Sequence, residues 1–189
     1  MNKIQKLITR LCPDGVPFRK LGEVCKISRG VRVIRSQLTE NGEYPVYQNS
    51  MKPLGYFDEK NCKANTTFVI SAGAAGEVGY SYVDFWAADD CFYFACPEHL
   101  QNKFLYYVLL RKQEYLFSQV RRASVPRLSR MVIEKLEIPL PPIAIQHEIV
   151  NILDKFTELE AELEAELEAR TRQYKYYLNN LLSFNEDES

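Results

Sequence analysis

Residues 143–189, which follow Pro141-Pro142, contain neither glycine nor proline, and this stretch constrains the fold more than any other part of the chain. Ile149, Phe156, Leu163, Arg170 and Tyr177 fall at strict sevens. A second stripe begins with Ile152 and Leu159, then moves over by one residue to Leu167, Tyr174 and Leu181. Such spacing is a coiled-coil seam with one local slip in its repeat, on a rod of about 60 Å at 1.5 Å per residue. Glu158, Glu162 and Glu166 form one ladder at four-residue spacing, and Glu160, Glu164 and Glu168 form another. Each like-charge pair destabilises a helix by roughly 0.2–0.5 kcal/mol. A fully buried seam side chain contributes about 1.5–3 kcal/mol, so burial wins when a second helix covers the stripe. The bland alternative is an amphipathic helix folded onto its own domain.

Charge divides the chain at nearly the same place. Residues 1–145 hold 20 Lys+Arg against 14 Asp+Glu, whereas residues 146–189 hold 4 against 11. A basic module with a polyanionic partner is thus joined to an acidic segment with another task. Two proline-rich points punctuate the sequence, Cys12-Pro13-Asp14-Gly15-Val16-Pro17 and Ile138-Pro139-Leu140-Pro141-Pro142. Proline removes a backbone donor and disfavours helix just before it. The expected division is a domain over residues 1–140 and a helix over residues 141–189.

Residues 1–11 alternate Lys3, Lys6 and Arg10 with Ile4, Leu7, Ile8 and Leu11, the pattern of a short amphipathic helix rather than a signal peptide. No apolar run is long enough for a membrane span, so a cytoplasmic protein is expected. Residues 44–48, 66–71, 78–83 and 91–95 are short β-branched or aromatic runs bounded by turn formers. Between residues 102 and 120, Phe104, Leu105, Val108, Leu109, Leu116 and Val120 follow a helical period. The expected fold class is α+β: a curved, mainly antiparallel sheet with a few helices, then one long C-terminal helix.

Catalytic signatures are missing. Five cysteines, an odd number, make no Cys-x-x-Cys and read as reduced, mostly buried thiols. The glycine run from Ser71 to Gly79 follows a predicted strand but leads into another, so its glycines read as a tight turn with positive φ rather than a phosphate cradle. His99 and His147 have no partner at ligand spacing, and Asp89-Asp90 reads as a turn. No metal, bound cofactor or catalytic activity is expected of the chain itself.

Basic and amide side chains gather in three expected loops. Arg29, Arg32 and Arg35 lie in the first, Gln48, Asn49, Ser50 and Lys52 in the second, and Arg121, Arg122, Arg127 and Arg130 in the third. Arginine offers a donor fork for guanine or phosphate, glutamine and asparagine pair with adenine edges, and lysine and serine hold phosphates. An arginine-rich loop is commonly only a solvated surface. Three such loops on a basic module point to nucleic acid.

Several segments resemble one known family. Val16-Pro17-Phe18-Arg19-Lys20-Leu21-Gly22-Glu23-Val24 is similar to the opening of a target-recognition domain of type I restriction–modification specificity (S) subunits. Tyr44-Pro45-Val46-Tyr47 with Gly55-Tyr56 resembles its tyrosine–proline strand, residues 68–79 its glycine-rich hairpin, and Asn102-Lys103-Phe104-Leu105-Tyr106-Tyr107 its central helix. The most specific resemblance runs from Ser124-Val125-Pro126-Arg127-Leu128-Ser129 through Pro141-Pro142 to Gln146, then Ile149-Val150 and Ile152-Leu153. Residues 174–184, ending Leu181-Leu182-Ser183-Phe184, also fit.

The resemblance implies sequence-specific recognition of double-stranded DNA without catalysis. It also implies docking to methyltransferase (M) subunits, which carry S-adenosylmethionine, with restriction (R) subunits as further partners. A full subunit of this family has two recognition domains and two helices packed antiparallel, and this chain has one of each. It therefore reads as a half-subunit, a split gene, a silent cassette or a truncated piece, with an assembly scaffold as the rival function. Two copies pairing antiparallel through Ile149, Ile152, Phe156, Leu159, Leu163, Leu167, Tyr174 and Leu181 would restore the missing half.

Overall fold

The computed structural model describes residues 3–39 and 41–184. In chain order the elements are α1 (Lys3–Leu11), β1 (Phe18–Lys20), α2 (Leu21–Val24), β2 (Lys26–Arg29), a 3-10 turn (Arg35–Gln37), β3 (Tyr44–Tyr47), β4 (Gly55–Phe57), β5 (Thr66–Ile70), β6 (Val78–Ser81) and β7 (Trp86–Ala87). They continue with β8 (Cys91–Ala95), α3 (Asn102–Arg111), α4 (Gln113–Ser118), α5 (Arg130–Glu134), β9 (Glu137–Pro139) and α6 (Ile143–Leu181). The fold is α+β, as expected, but the sheet is divided into three. A four-stranded antiparallel sheet has the order β2-β8-β5-β6, a three-stranded sheet the order β4-β3-β7, and β1 pairs with β9 alone. The single parallel contact among them joins β3 to β7.

Strand β5 explains the layering. Successive side chains on a strand point to opposite faces, and here both faces are buried. Val69 joins a large cluster with Ile27, Phe92, Phe94, Phe104, Leu105, Leu109 and Ile133. Phe68 and Ile70 join a second cluster with Phe85, Ala87 and Cys91, against which Tyr47 packs. One face of the sheet is therefore covered by helices and the other by the β4-β3-β7 layer. Beyond that layer, Phe57 and Trp86 meet edge-on at 5.0 Å, and the Trp86 indole N–H donates to the Val31 carbonyl.

Asn102 fixes the helical layer to the sheet. Its Oδ1 accepts from the Thr67 amide at 2.7 Å, its carbonyl accepts from the Thr67 hydroxyl, and its Nδ2 donates to the Phe94 carbonyl. Thr67 is fully buried, and these bonds satisfy its polar atoms. The helix expected over residues 102–120 is instead two, broken at Lys112, whose backbone leaves helical geometry at φ −96° and ψ 9°. The break lets the Gln113 side chain accept from the Val78 amide at 3.1 Å while Leu116 stays buried. Periodicity is blind to it, because the apolar positions on both sides keep one phase.

The expected helix at the start of the chain is present as α1, and Met1 and Asn2 lie outside the described residues. Lys3 pairs with Glu148 at 2.6 Å. The chain forms two compact units, the first running to Val150 and the second beginning at Asn151. The start of α6 belongs to the first unit, with Ile145, Gln146 and Val150 buried. Gln146 is fully buried and fully bonded. Its Oε1 accepts from the Gln101 amide at 2.9 Å, and its Nε2 donates to the carbonyls of His99 and Pro141, each at 2.8 Å. In the second unit α6 continues without interruption, and every described residue from Lys155 to Phe184 is exposed. Residues 185–189, the end of the expected helical region, lie outside the described residues. No helix among the described residues is long and apolar enough to cross a membrane.

Two outcomes follow from these contacts. Gln146→Met keeps the volume but leaves an amide and two carbonyls without partners, at about 1–3 kcal/mol for each buried group. Urea unfolding should show a loss of at least that size, and an unchanged midpoint would deny the bonds any structural weight. Asp84 pairs with Lys60 and accepts from the Ala64 amide, and the Lys60 hydrogen bond, followed by that amide, holds its carboxyl below the usual range. Its contribution is complete above the ordinary carboxylate pKa of about 3.9 and is lost as pH falls through the depressed value. The difference in Tm between wild type and Asp84→Asn should accordingly be present at neutral pH and shrink in acid.

Candidate nucleic-acid interface

The four-stranded sheet ends in register on one side. Arg29 of β2 lies opposite Phe92, Ile70 of β5 opposite Cys91, and Val78 of β6 opposite Val69. The segment after β2, the 71–77 loop and the 88–90 turn therefore emerge together. The 48–54 loop from the second layer and the 119–129 loop after α4 join them through main-chain hydrogen bonds. Ala74 N donates to Asn49 O at 2.9 Å, Gly73 N to Pro126 O at 3.2 Å, Leu128 N to Ser71 O at 2.8 Å and Ser71 N to Asp90 O at 2.7 Å.

Each loop is also shaped locally. Gly73 has φ +82° and Gly76 φ +97°, the positive φ values expected of the glycine run. Arg121 and Arg127 exchange backbone bonds of 2.9 and 3.2 Å, closing residues 121–127 into a narrow finger, and residues 121–127 are all exposed. The finger continues through the pairing of Arg127 with Ala72 into the glycine loop. A shallow apolar hollow lined by Gly73, Ala74, Phe117, Val120, Arg122 and Pro126 lies at its base.

Seen against this frame, the residues picked out from the sequence separate into groups. Gln48, Asn49, Ser50, Lys52, Arg121, Arg122 and Arg127 lie on the loops gathered at the sheet end, whereas Arg29, expected in a loop, is the last residue of strand β2 at that end, paired with Phe92. The guanidinium groups of Arg121, Arg122 and Arg127 make no hydrogen bond or ion pair among the described residues, so their donors stay open to a ligand. Arg29 is partly committed, its Nε donating to the Asp89 carbonyl at 2.6 Å. The Ser50 hydroxyl donates to the Lys52 carbonyl at 3.0 Å and shapes the turn that presents Lys52. Arg32 is exposed in the segment after β2. Arg35 lies apart, beside Leu38, Thr39, Leu54, Gly55 and Tyr56 on the β4 side. Arg130 is on α5, where its Nε donates to Glu134 at 2.7 Å in an ion pair.

One residue that sequence reasoning passed over as a bland thiol helps to hold the cluster. Cys91 is fully buried, and its Sγ donates to the carbonyls of Tyr47 and Gln48 at 3.3 and 3.2 Å. Burial, with a smaller effect from Asp90, pushes the thiol well above its ordinary pKa, so it remains a donor. Its location at the start of a strand was visible in the sequence, but nothing there marked what it would bond.

The apolar stripe of α6 has a separate setting. Ile149 and Ile152 are half-buried, whereas Phe156, Leu159, Leu163, Leu167, Tyr174 and Leu181 are exposed, Phe156 and Leu167 by 65% and 68%. Monomeric proteins rarely leave so long an apolar run in water.

Comparison with known proteins agrees with this architecture. The chain is 29% identical over 169 residues to a Mycoplasma pneumoniae protein assigned as a type I specificity subunit, covering 87% of this chain and 46% of that protein. It is 30% identical over 185 residues to a Haemophilus influenzae protein assigned as a type I restriction enzyme specificity subunit, covering 90% and 47%. The fold matches the crystal structure of a type I restriction–modification S subunit from M. genitalium with a TM-score of 0.70 and 23% identity, over 89% of this chain and 47% of that one. The chain thus spans about half the length of these relatives. The profile of the type I restriction modification DNA specificity domain matches residues 13–169, and the chain belongs to that family.

Proposed function

We propose that this chain reads one half-site of a DNA target for a type I restriction–modification complex in the cytoplasm and catalyses nothing itself. The observation that carries the reading is the sheet end, where Arg121, Arg122 and Arg127 stand with uncommitted guanidinium groups on a backbone fixed by its own hydrogen bonds. Duplex DNA is the polyanion whose geometry suits it. A narrow exposed loop such as the 121–127 finger can enter the major groove, where arginine can bind guanine in a bidentate manner and Gln48 or Asn49 can bind adenine. Lys52, Arg29 and Arg32 would hold phosphates, which set register without reading sequence. Arg35 lies in the β4-side hollow and Arg130 is engaged by Glu134, so both contribute less.

The rest of the complex supplies what this chain lacks. Methyltransferase subunits bring S-adenosylmethionine and the methyl-transfer chemistry, and restriction subunits join that assembly. A second recognition unit comes from a second copy, through an antiparallel pairing of the α6 stripes. A crossing near Ala165 sets Leu163 of one copy opposite Leu167 of the other, and Glu160 and Glu158 opposite Arg170 and Arg172. A parallel pairing would instead bring the glutamate ladders together.

DNA titrations with the assembled methyltransferase at several salt concentrations test the recognition. Arg127→Ala should weaken binding by about 1–3 kcal/mol if it contacts a base, or lower the salt slope by about one if it contacts a phosphate. Arg130→Ala, already paired with Glu134, should do neither. Unchanged affinity and slope for Arg127→Ala and Arg122→Ala would remove the sheet end as the DNA surface. The pairing is tested by light scattering, where the chain should be a dimer and Leu163→Asp a monomer. Cysteines placed at Glu158 and Arg172 should crosslink between copies. A monomeric wild type, or crosslinks linking like positions along the helix, would exclude the antiparallel pair.

A further inference from the structure

We infer that Gly73 is a positioning residue for sequence readout: it sets the spacing between the loop bearing Gln48 and Asn49 and the finger bearing Arg121, Arg122 and Arg127. The inference rests on the DNA-reading function proposed above and adds to it a determinant with no side chain to offer. Gly73 lies where the two loops meet. Its amide donates to Pro126 O in the finger, and the next amide, Ala74 N, donates to Asn49 O in the other loop. Two residues earlier, Ser71 accepts from Leu128 N, just past the base of the finger, and donates to Asp90 O. A stretch of four residues thus holds both loops and the 88–90 turn through the main chain alone.

Only glycine fits at this junction. A Cβ at position 73 would lie 2.7 Å from the Asn49 carbonyl oxygen and 2.8 Å from the Asn49 Cβ, and φ is +82°. The obstructing atoms are backbone and a Cβ, not the end of a flexible side chain, so any substitution must push the 48–52 loop away from the finger. Relief to ordinary contact takes a shift of several tenths of an ångström or more. Hydrogen bonds weaken steeply with misalignment, whereas attraction between arginine and phosphate tolerates such a shift. Base reading by the two loops together should therefore fail while phosphate binding survives.

The experiment uses the chain assembled with its methyltransferase subunits. It compares affinity for the methylated target, identified by mapping modified sites, with affinity for unrelated DNA over a range of salt. Gly73→Ala should lower the ratio of specific to nonspecific affinity at least tenfold, leave the salt slope unchanged, and broaden the set of modified sites. Gly73→Asn carries the same Cβ on a residue that tolerates positive φ better. It should give the same result, and it keeps the test open where the alanine variant does not fold. Gly15→Ala is the control, because Gly15 has φ +97° but open space around it. It should reduce stability without changing the ratio. A Gly73 variant that folds and keeps the wild-type ratio would overturn the inference and leave the recognition function standing. A ratio lost to the same extent in Gly15→Ala would overturn it equally. A wild-type assembly that prefers no sequence would instead overturn the recognition function, and this inference with it.

Discussion

Strand β5 is buried on both faces, and the rest of the first unit is arranged around that constraint. A strand with Thr67 and Val69 on one side and Phe68 and Ile70 on the other needs two covering layers, one helical and one of sheet. Asn102 supplies the polar bonds that let the helical layer begin directly over the buried Thr67. Tyr47, Phe85 and Ala87 supply the apolar contact for the other layer. Because β2, β8, β5 and β6 end together, the loops between layers have one place to gather. The cationic cluster is a consequence of where the core strands stop.

How much of this was legible in the sequence depended on the kind of force involved. Burial leaves a periodic trace, so strands β5 and β8 and the apolar face of α3 could be read from side-chain type. The glycine run announced its turn because positive φ selects for glycine. Pairings made only by the main chain left no such trace. Strand β1 has three exposed residues and β9 contains a proline, yet they pair through Phe18–Pro139 and Arg19–Ile138. The break at Lys112 has neither glycine nor proline to mark it. At the sheet end the arginines could be named, but their convergence could not, since Ser71, Gly73, Ala74 and Leu128 bring the loops together through backbone amides. Arg130 does carry a sequence sign of its commitment, because Glu134 stands four residues on, at the spacing of a helical ion pair.

The two units present opposite physical problems. The first buries its apolar side chains and leaves cations open. The second, past Asn151, is helical with an apolar stripe and no covering surface of its own among the described residues. Gln146 stands at the start of this helix, satisfied by Gln101, His99 and Pro141, so the first turns of α6 are as firmly set as any core element. A helix anchored at one end with its stripe exposed keeps apolar surface that a partner helix could bury.

The main-chain fastening of the loops has an evolutionary consequence. Where a surface is held by side-chain bonds, changing its residues risks its shape, and novelty competes with folding. Here the finger is closed and tied to residues 71 and 73 by backbone hydrogen bonds, and among the described residues the side chains of residues 122–125 make no hydrogen bond or ion pair. Mutation can sample those positions at little cost to the fold, so the chemistry this surface presents can change by single substitutions rather than by rebuilding the domain.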